Sequence, residues 1–178
     1  RSGARPGDTV FVSGTLGDAA LGLMAISGNL SRLSNAEAEE LIHRYHLPQP
    51  RISLGRELIG LASAAVDVSD GLVADLGHVC MASNVAAQID RTRLPLSQAA
   101  QAAITAYPET ASAVLSGGDD YELLFTAPSE AADEISAAAK QSGVSVTEIG
   151  RIYVGNGVKV IDSEGHEFKL ISTGFRHF

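Results

Sequence analysis

Apolar and polar positions change rhythm along the chain, and each change predicts an element. Thr9-Val10-Phe11-Val12-Ser13-Gly14 is a short apolar run of β-branched and aromatic residues, which predicts a strand. Gly17 and Asp18 then open a helix of small residues over 19–26, stopped by Gly28-Asn29. Ser34 or Asn35 caps a second helix over about 36–45, with Glu37, Glu39 and Glu40 near its positive end. Pro48 and Pro50 punctuate, and 54–61 reads as a short helix. Leu61-Ala62-Ser63-Ala64-Ala65 leads into Val66-Asp67-Val68, a buried-strand pattern. Leu72, Leu76, Val79 and Cys80 then share one face of a helix over 72–83.

Residues 85–90 predict a further strand, and Ser97 caps a helix running to about 106. An apolar strand follows Gly117-Gly118-Asp119-Asp120, and a helix over 130–141 closes at Gly143. Residues 144–152 and 158–161 read as strands joined by Gly155-Asn156-Gly157, a hairpin-like turn. Strands alternate with helices, yet the late pair looks antiparallel. The expected fold class is α+β, a mixed β-sheet packed with helices. Residues 1–8 are polar and turn-rich and read as a linker; 9–178 read as one domain.

Composition narrows the picture. Of 178 residues, 45% are hydrophobic and 19% charged, which suits a folded globular chain. The formal net charge of −8, with no Lys/Arg cluster, argues against a nucleic-acid surface but allows a nucleotide held through metal ions. One cysteine, Cys80, excludes a disulfide within the chain and fits a reducing, cytoplasmic setting, with the thiol buried as a small apolar group. No apolar run reaches membrane-span length, so no membrane partner is expected.

Two stretches carry candidate chemistry. At Val66-Asp67-Val68-Ser69-Asp70-Gly71-Leu72 a strand meets a helix. Alternation points Asp67 and Ser69 the same way, and Asp70 occupies the N-cap position. Carboxylates suit a hard cation such as Mg²⁺, and free N–H groups at the helix start suit phosphate. Plain helix capping explains Asp70 and Ser69 equally well; it does not explain Asp67, a charge inside an apolar strand. In Gly117-Gly118-Asp119-Asp120 the glycines allow tight backbone next to a ligand, and a simple turn with solvated carboxylates is the alternative. His43 and His46 find no partners for a zinc site, and no phosphate-loop, dinucleotide or nucleophile-elbow motif occurs.

Four segments taken in order resemble the C-terminal domain of the thiamine-monophosphate kinase family, in the superfamily of aminoimidazole ribonucleotide synthetase and selenophosphate synthetase. They are Arg1-Ser2-Gly3-Ala4 with Gly7-Asp8 and 12–18; 66–72 with Asp75-Leu76; Ser116-Gly117-Gly118-Asp119-Asp120-Tyr121-Glu122-Leu123; and Gly174-Phe175-Arg176-His177-Phe178. The resemblance implies the fold of the aminoimidazole ribonucleotide synthetase C-terminal domain. It also implies direct, Mg²⁺-assisted transfer of the ATP γ-phosphoryl group to thiamine monophosphate, giving thiamine diphosphate. On this resemblance Asp67 and Asp70 are Mg²⁺ ligands, and Arg1 and Ser69 contact ATP. Asp119 contacts substrate where the family usually has Glu, and Phe175 packs on the thiamine rings. No residue is assigned as a general base, because the acceptor phosphate is already ionised.

The resemblance further implies an N-terminal domain that carries most of the metal-binding aspartates and the homodimer interface. The chain starts at Arg1 without those motifs, so the expectation is a domain that folds but does not turn over by itself. Two other readings stay open: another ATP-dependent enzyme of the superfamily, or a non-catalytic ligand-binding domain whose acidic junctions are caps.

Overall fold

The structure, a computed structural model, describes residues 1–168. The strands are β1 (Thr9–Ser13), β2 (Ala64–Asp67), β3 (Ala86–Asp90), β4 (Leu123–Ala127), β5 (Val146–Tyr153) and β6 (Gly157–Ile161). The α-helices are α1 (Asp18–Ile26), α2 (Asn35–His46), α3 (Ile52–Glu57), α4 (Leu72–Ser83), α5 (Gln98–Ala106), α6 (Ala113–Ser116) and α7 (Ala132–Ser142). One sheet runs in the order β2-β4-β1-β5-β3-β6. Its pairs are antiparallel except β3 with β6, so the α+β mixed sheet expected from the sequence is the architecture found.

Alternation along the central strands divides the core between the two sheet faces. Val10, Val12 and Leu124 face α4, where Leu72, Leu76, Val79 and Cys80 form the apolar stripe. Phe11 and Phe125 point to the other face and stack with ring centroids 5.3 Å apart; Leu54, Leu58 and Ile135 cover them. A third cluster joins α1, α2 and α5 through Leu21, Leu41, Ala99 and Ala103. Here Gly22 is required, because a Cβ on it would overlap the Leu41 carbonyl and push α2 away from α1.

Two sequence expectations need correction. Residues 144–152 and 158–161 do form strands, but β5 and β6 are not a hairpin. Strand β3 lies between them, with Ala86 opposite Tyr153 on one side and Gly157 on the other. The turn signal places a chain reversal but not a partner. Burying Val160 in the cluster below α4 places β6 outside β3. The strand at 64–67 is likewise not fully buried. As the sheet edge it alternates, with Ala64 and Val66 inside and Ala65 and Asp67 exposed, so Asp67 is not a charge buried inside the strand.

The polar opening stretch is packed rather than loose at its end. Asp8 is buried and accepts hydrogen bonds from the Arg5 N–H (2.9 Å) and the Ser63 hydroxyl (2.5 Å), while the Gly7 N–H donates to the Ile152 carbonyl (2.9 Å). Among the described residues, no helix is long and apolar enough to cross a membrane.

Candidate functional site

The two chemistry-bearing stretches are neighbours in space because β2 pairs with β4, placing Asp67 opposite Leu123. The pairing continues past both strands. The Val68 N–H donates to the Glu122 carbonyl (2.9 Å), the Tyr121 N–H to the Val68 carbonyl (2.9 Å) and the Asp119 N–H to the Ser69 carbonyl (3.0 Å). This contact requires glycine: a Cβ on Gly118 would overlap the Ser69 carbonyl oxygen. Asp119 (φ 69°) and Tyr121 (φ 50°) both adopt the left-handed region, which is unfavourable for a bulky residue such as tyrosine.

Asp70 does not cap α4, in contrast to the sequence expectation. Gly71 takes the cap position with φ 115° and, having no side chain, supplies no cap hydrogen bond. Asp75, one turn in, is buried and reaches back instead. Its Oδ2 accepts from the Ser69 N–H (3.0 Å) and the Asp70 N–H (2.9 Å). That carboxylate fixes the backbone that presents Ser69 and Asp70 to a cleft.

The cleft has a volume of about 500 Å³ and runs between α1, Tyr45 of α2, Ser69-Asp70 and the 116–121 segment. Tyr121 forms a ridge between it and a second depression of about 520 Å³, bordered by Pro48, Pro50, Arg51, Asp67 and Leu123. The region is electronegative. The Tyr121 hydroxyl donates to Asp119 Oδ1 (3.2 Å), and its pKa is raised, first by the Asp119 charge and further by partial burial and by Asp67 and Asp70. Burial raises the Asp75 carboxyl pKa above the usual range; the Asp70 and Asp67 charges add to that, against the two backbone hydrogen bonds.

Asp70, Asp75 and His78 each offer a ligand atom, all within 4.8 Å of one another. Two neighbouring carboxylates are the hard-oxygen donor set that Mg²⁺ prefers, so the residues present fit such an ion, with His78 the poorer donor. Asp75 was assigned no role in the sequence reading. Its position one turn into the helix was the available signal.

Behind the cleft wall lies a buried polar network that the sequence reading also missed. The Asp120 carboxylate accepts from the Gly17 (2.7 Å) and Ala19 (3.1 Å) N–H groups at the start of α1. Glu122, fully buried, accepts both the Nε (2.8 Å) and Nη2 (2.6 Å) donors of Arg51, the Nη2 of Arg44 (2.9 Å) and the Ser13 hydroxyl (2.5 Å). Arg44 also lies 3.6 Å from Asp18. Nothing in the spacing of Arg44 and Arg51 announces that both converge on a residue more than seventy positions away.

Of the residues singled out from sequence, the fold brings Ser69, Asp70 and Asp119 into one cleft and sets Asp67 across the Tyr121 ridge. Arg1 is not among the residues lining either depression. The N–H groups of Gly3 and Ala4 bond Ser83 Oγ at the opposite end of α4, about 18 Å along a twelve-residue helix from Leu72. Phe175 lies outside the described residues.

Comparison with known proteins joins this geometry to a family. The family of AIR synthase related proteins, C-terminal domain, matches residues 5–163. The chain belongs to this family. Its curated relatives include thiamine-monophosphate kinase of Escherichia coli K12, 40% identical over the whole chain and 54% of the relative. The counterpart from Caulobacter vibrioides is 42% identical over 89% of this chain and 45% of the relative. Among solved structures, thiamine-monophosphate kinase from Stenotrophomonas maltophilia K279a superposes with a TM-score of 0.82 at 44% identity, covering 89% of this chain and 51% of that one. AaThiL complexed with AMPPCP and TMP superposes at 0.80 with 36% identity, covering 99% of this chain and 53% of that one. Escherichia coli HypE, at 20% identity and 0.76, shares the fold. The chain spans about half the length of the curated relatives it matches.

Proposed function

We propose that this domain is the C-terminal part of a thiamine-monophosphate kinase, which transfers the γ-phosphoryl group of ATP to the phosphate of thiamine monophosphate. The observation that carries the reading is the convergence of Ser69, Asp70 and Asp119 on one electronegative cleft. It is supported by whole-chain similarity to thiamine-monophosphate kinases and by the likeness to AaThiL, solved with AMPPCP and TMP. In the reaction both donor and acceptor are phosphates, so charge repulsion is the barrier to close approach, and positioning with charge neutralisation does most of the work. Mg²⁺ supplies that neutralisation when bound; Asp70, with Asp75 behind it, and Asp67, across the Tyr121 ridge, would each be a ligand to such ions.

Ser69 contacts ATP through its hydroxyl in this reading. Asp119 accepts a hydrogen bond from the substrate where the family usually has Glu. Phe175, outside the described residues, is assigned to the cationic thiamine rings through the family resemblance alone. Arg1 is assigned to an ATP phosphate through the family resemblance. The acceptor oxygen is ionised at neutral pH, so no side chain has to take a proton. The homodimer and most of the metal ligands belong to the remaining half of the relatives' length. The lone reduced thiol, Cys80, fits a cytoplasmic location.

The test is titration of this chain with thiamine monophosphate and with Mg²⁺–AMPPCP by calorimetry, for the native protein, Asp70→Asn and Asp119→Ala. The expected result is nucleotide binding that needs Mg²⁺ and weakens at least tenfold in Asp70→Asn. Thiamine monophosphate binding should be lost selectively in Asp119→Ala. Equal heats for all three proteins would overturn the reading.

A further inference from the structure

Residues 119–122 alternate strictly. Asp119 and Tyr121 project to the cleft from left-handed backbone, whereas Asp120 (3% exposed) and Glu122 (0% exposed) point inward. Left-handed conformations at non-glycine residues persist only where the surroundings over-determine them. Here the inward carboxylates do so, Asp120 through the first turn of α1 and Glu122 through Arg44, Arg51 and Ser13. The partners of Glu122 also matter to the cleft walls. Arg44 immediately precedes Tyr45, which lines the first cleft, and Arg51 itself borders the second. Glu122 thus ties the strand that presents Asp119 and Tyr121 to both walls facing them. Its fork to Arg51 engages two donors on two oxygens, a geometry that fixes direction as well as distance. Gly14 packs against the same carboxylate so closely that a Cβ there would overlap it.

We propose that Glu122 is a positioning residue. Without touching ligand itself, it sets the spacing between the Asp119–Tyr121 ridge and the Tyr45 and Arg51 walls, and so determines the affinity of the cleft for thiamine monophosphate. The affinity part rests on the kinase reading; the positioning part does not.

The experiment compares the native chain with Glu122→Gln, Arg51→Lys and Ile135→Val. Glu122→Gln removes the charge and keeps the shape. Arg51→Lys keeps the charge and removes the fork. Ile135→Val serves as a control that lowers melting temperature from the α7 side of the sheet, away from the cleft. Two quantities are read: hydrogen exchange at the Asp119 and Tyr121 amides, and calorimetric affinity for thiamine monophosphate. Glu122→Gln is expected to speed exchange at both amides and to weaken binding, each at least tenfold. Arg51→Lys should shift both the same way by a smaller factor, and Ile135→Val should leave both near native. If Glu122→Gln does not fold, Arg51→Lys decides by the same two readouts. Variants that lose melting temperature but match Ile135→Val in exchange overturn the proposal. Native protein that binds no thiamine monophosphate overturns the kinase reading alone, and exchange still decides the positioning role.

Discussion

The Asp120 carboxyl shows how burial and hydrogen bonding compete at one residue. Two backbone N–H groups at the start of α1 favour its ionised form, but desolvation outweighs them and lifts the pKa from 3.8 to about 7. The folded protein therefore holds this proton to higher pH than the unfolded chain does. Over that window the native state binds more protons, so this group's contribution to stability is full below 3.8 and declines as pH rises towards about 7. Asp120→Asn should flatten that part of the stability–pH curve, measured by urea unfolding at several pH values; an unchanged slope would assign the titration elsewhere. Desolvation acts in the same direction on Cys80. Buried on the α4 stripe, its thiol is pushed up to about 11, so little thiolate forms at neutral pH. It should react with a thiol reagent at pH 8 only after denaturant is added, and rapid labelling of the native protein would contradict its placement in the core.

At the scale of elements, caps and crossings divide the work. Ser34 caps α2 with a full capping box, accepting from the Glu37 N–H while the Glu37 side chain accepts from the Ser34 N–H. Ser34→Ala should lower stability by about 1 kcal/mol, seen as a modest fall in melting temperature, with ligand binding unchanged. Gly118 sits where two elements cross. Its missing Cβ is what lets the 117–121 segment lie against Ser69. Gly118→Ala should cost about 1–3 kcal/mol through overpacking, and it should also displace Asp119 from the cleft. Loss of stability without any change in binding would separate the crossing from the site. The contrast follows from position: the cap closes a helix end away from the cleft, and the glycine joins the two acidic stretches.

For the whole molecule, the sheet makes distant parts interdependent. β1, near the start of the chain, lies between β4 and β5, and helices pack on both faces of those strands. Neither face can lose its packing without exposing the other through the shared strands. Thermal unfolding of this chain should therefore be one cooperative transition, with calorimetric and van't Hoff enthalpies in agreement. Two resolved transitions would show that the α3–α7 layer melts independently.

Local signals along the chain were enough for much of this. The runs and caps at 9–14, 34–45, 72–83 and 97–106 foretold β1, α2, α4 and α5, because 3.6- and 2-residue periodicities and N-cap chemistry act within a few residues of each other. The same local information placed Ser69, Asp70 and Asp119 among the residues worth watching. Pairing partners and burial were decided only in three dimensions. The insertion of β3 between β5 and β6, the exposure of Asp67 on an edge, and the meeting of Arg44 and Arg51 at Glu122 all depend on contacts between segments far apart in sequence. A strand's partner is chosen by which apolar face it can bury, and a buried charge by which opposite charge the fold delivers. Neither quantity exists until the sheet has closed.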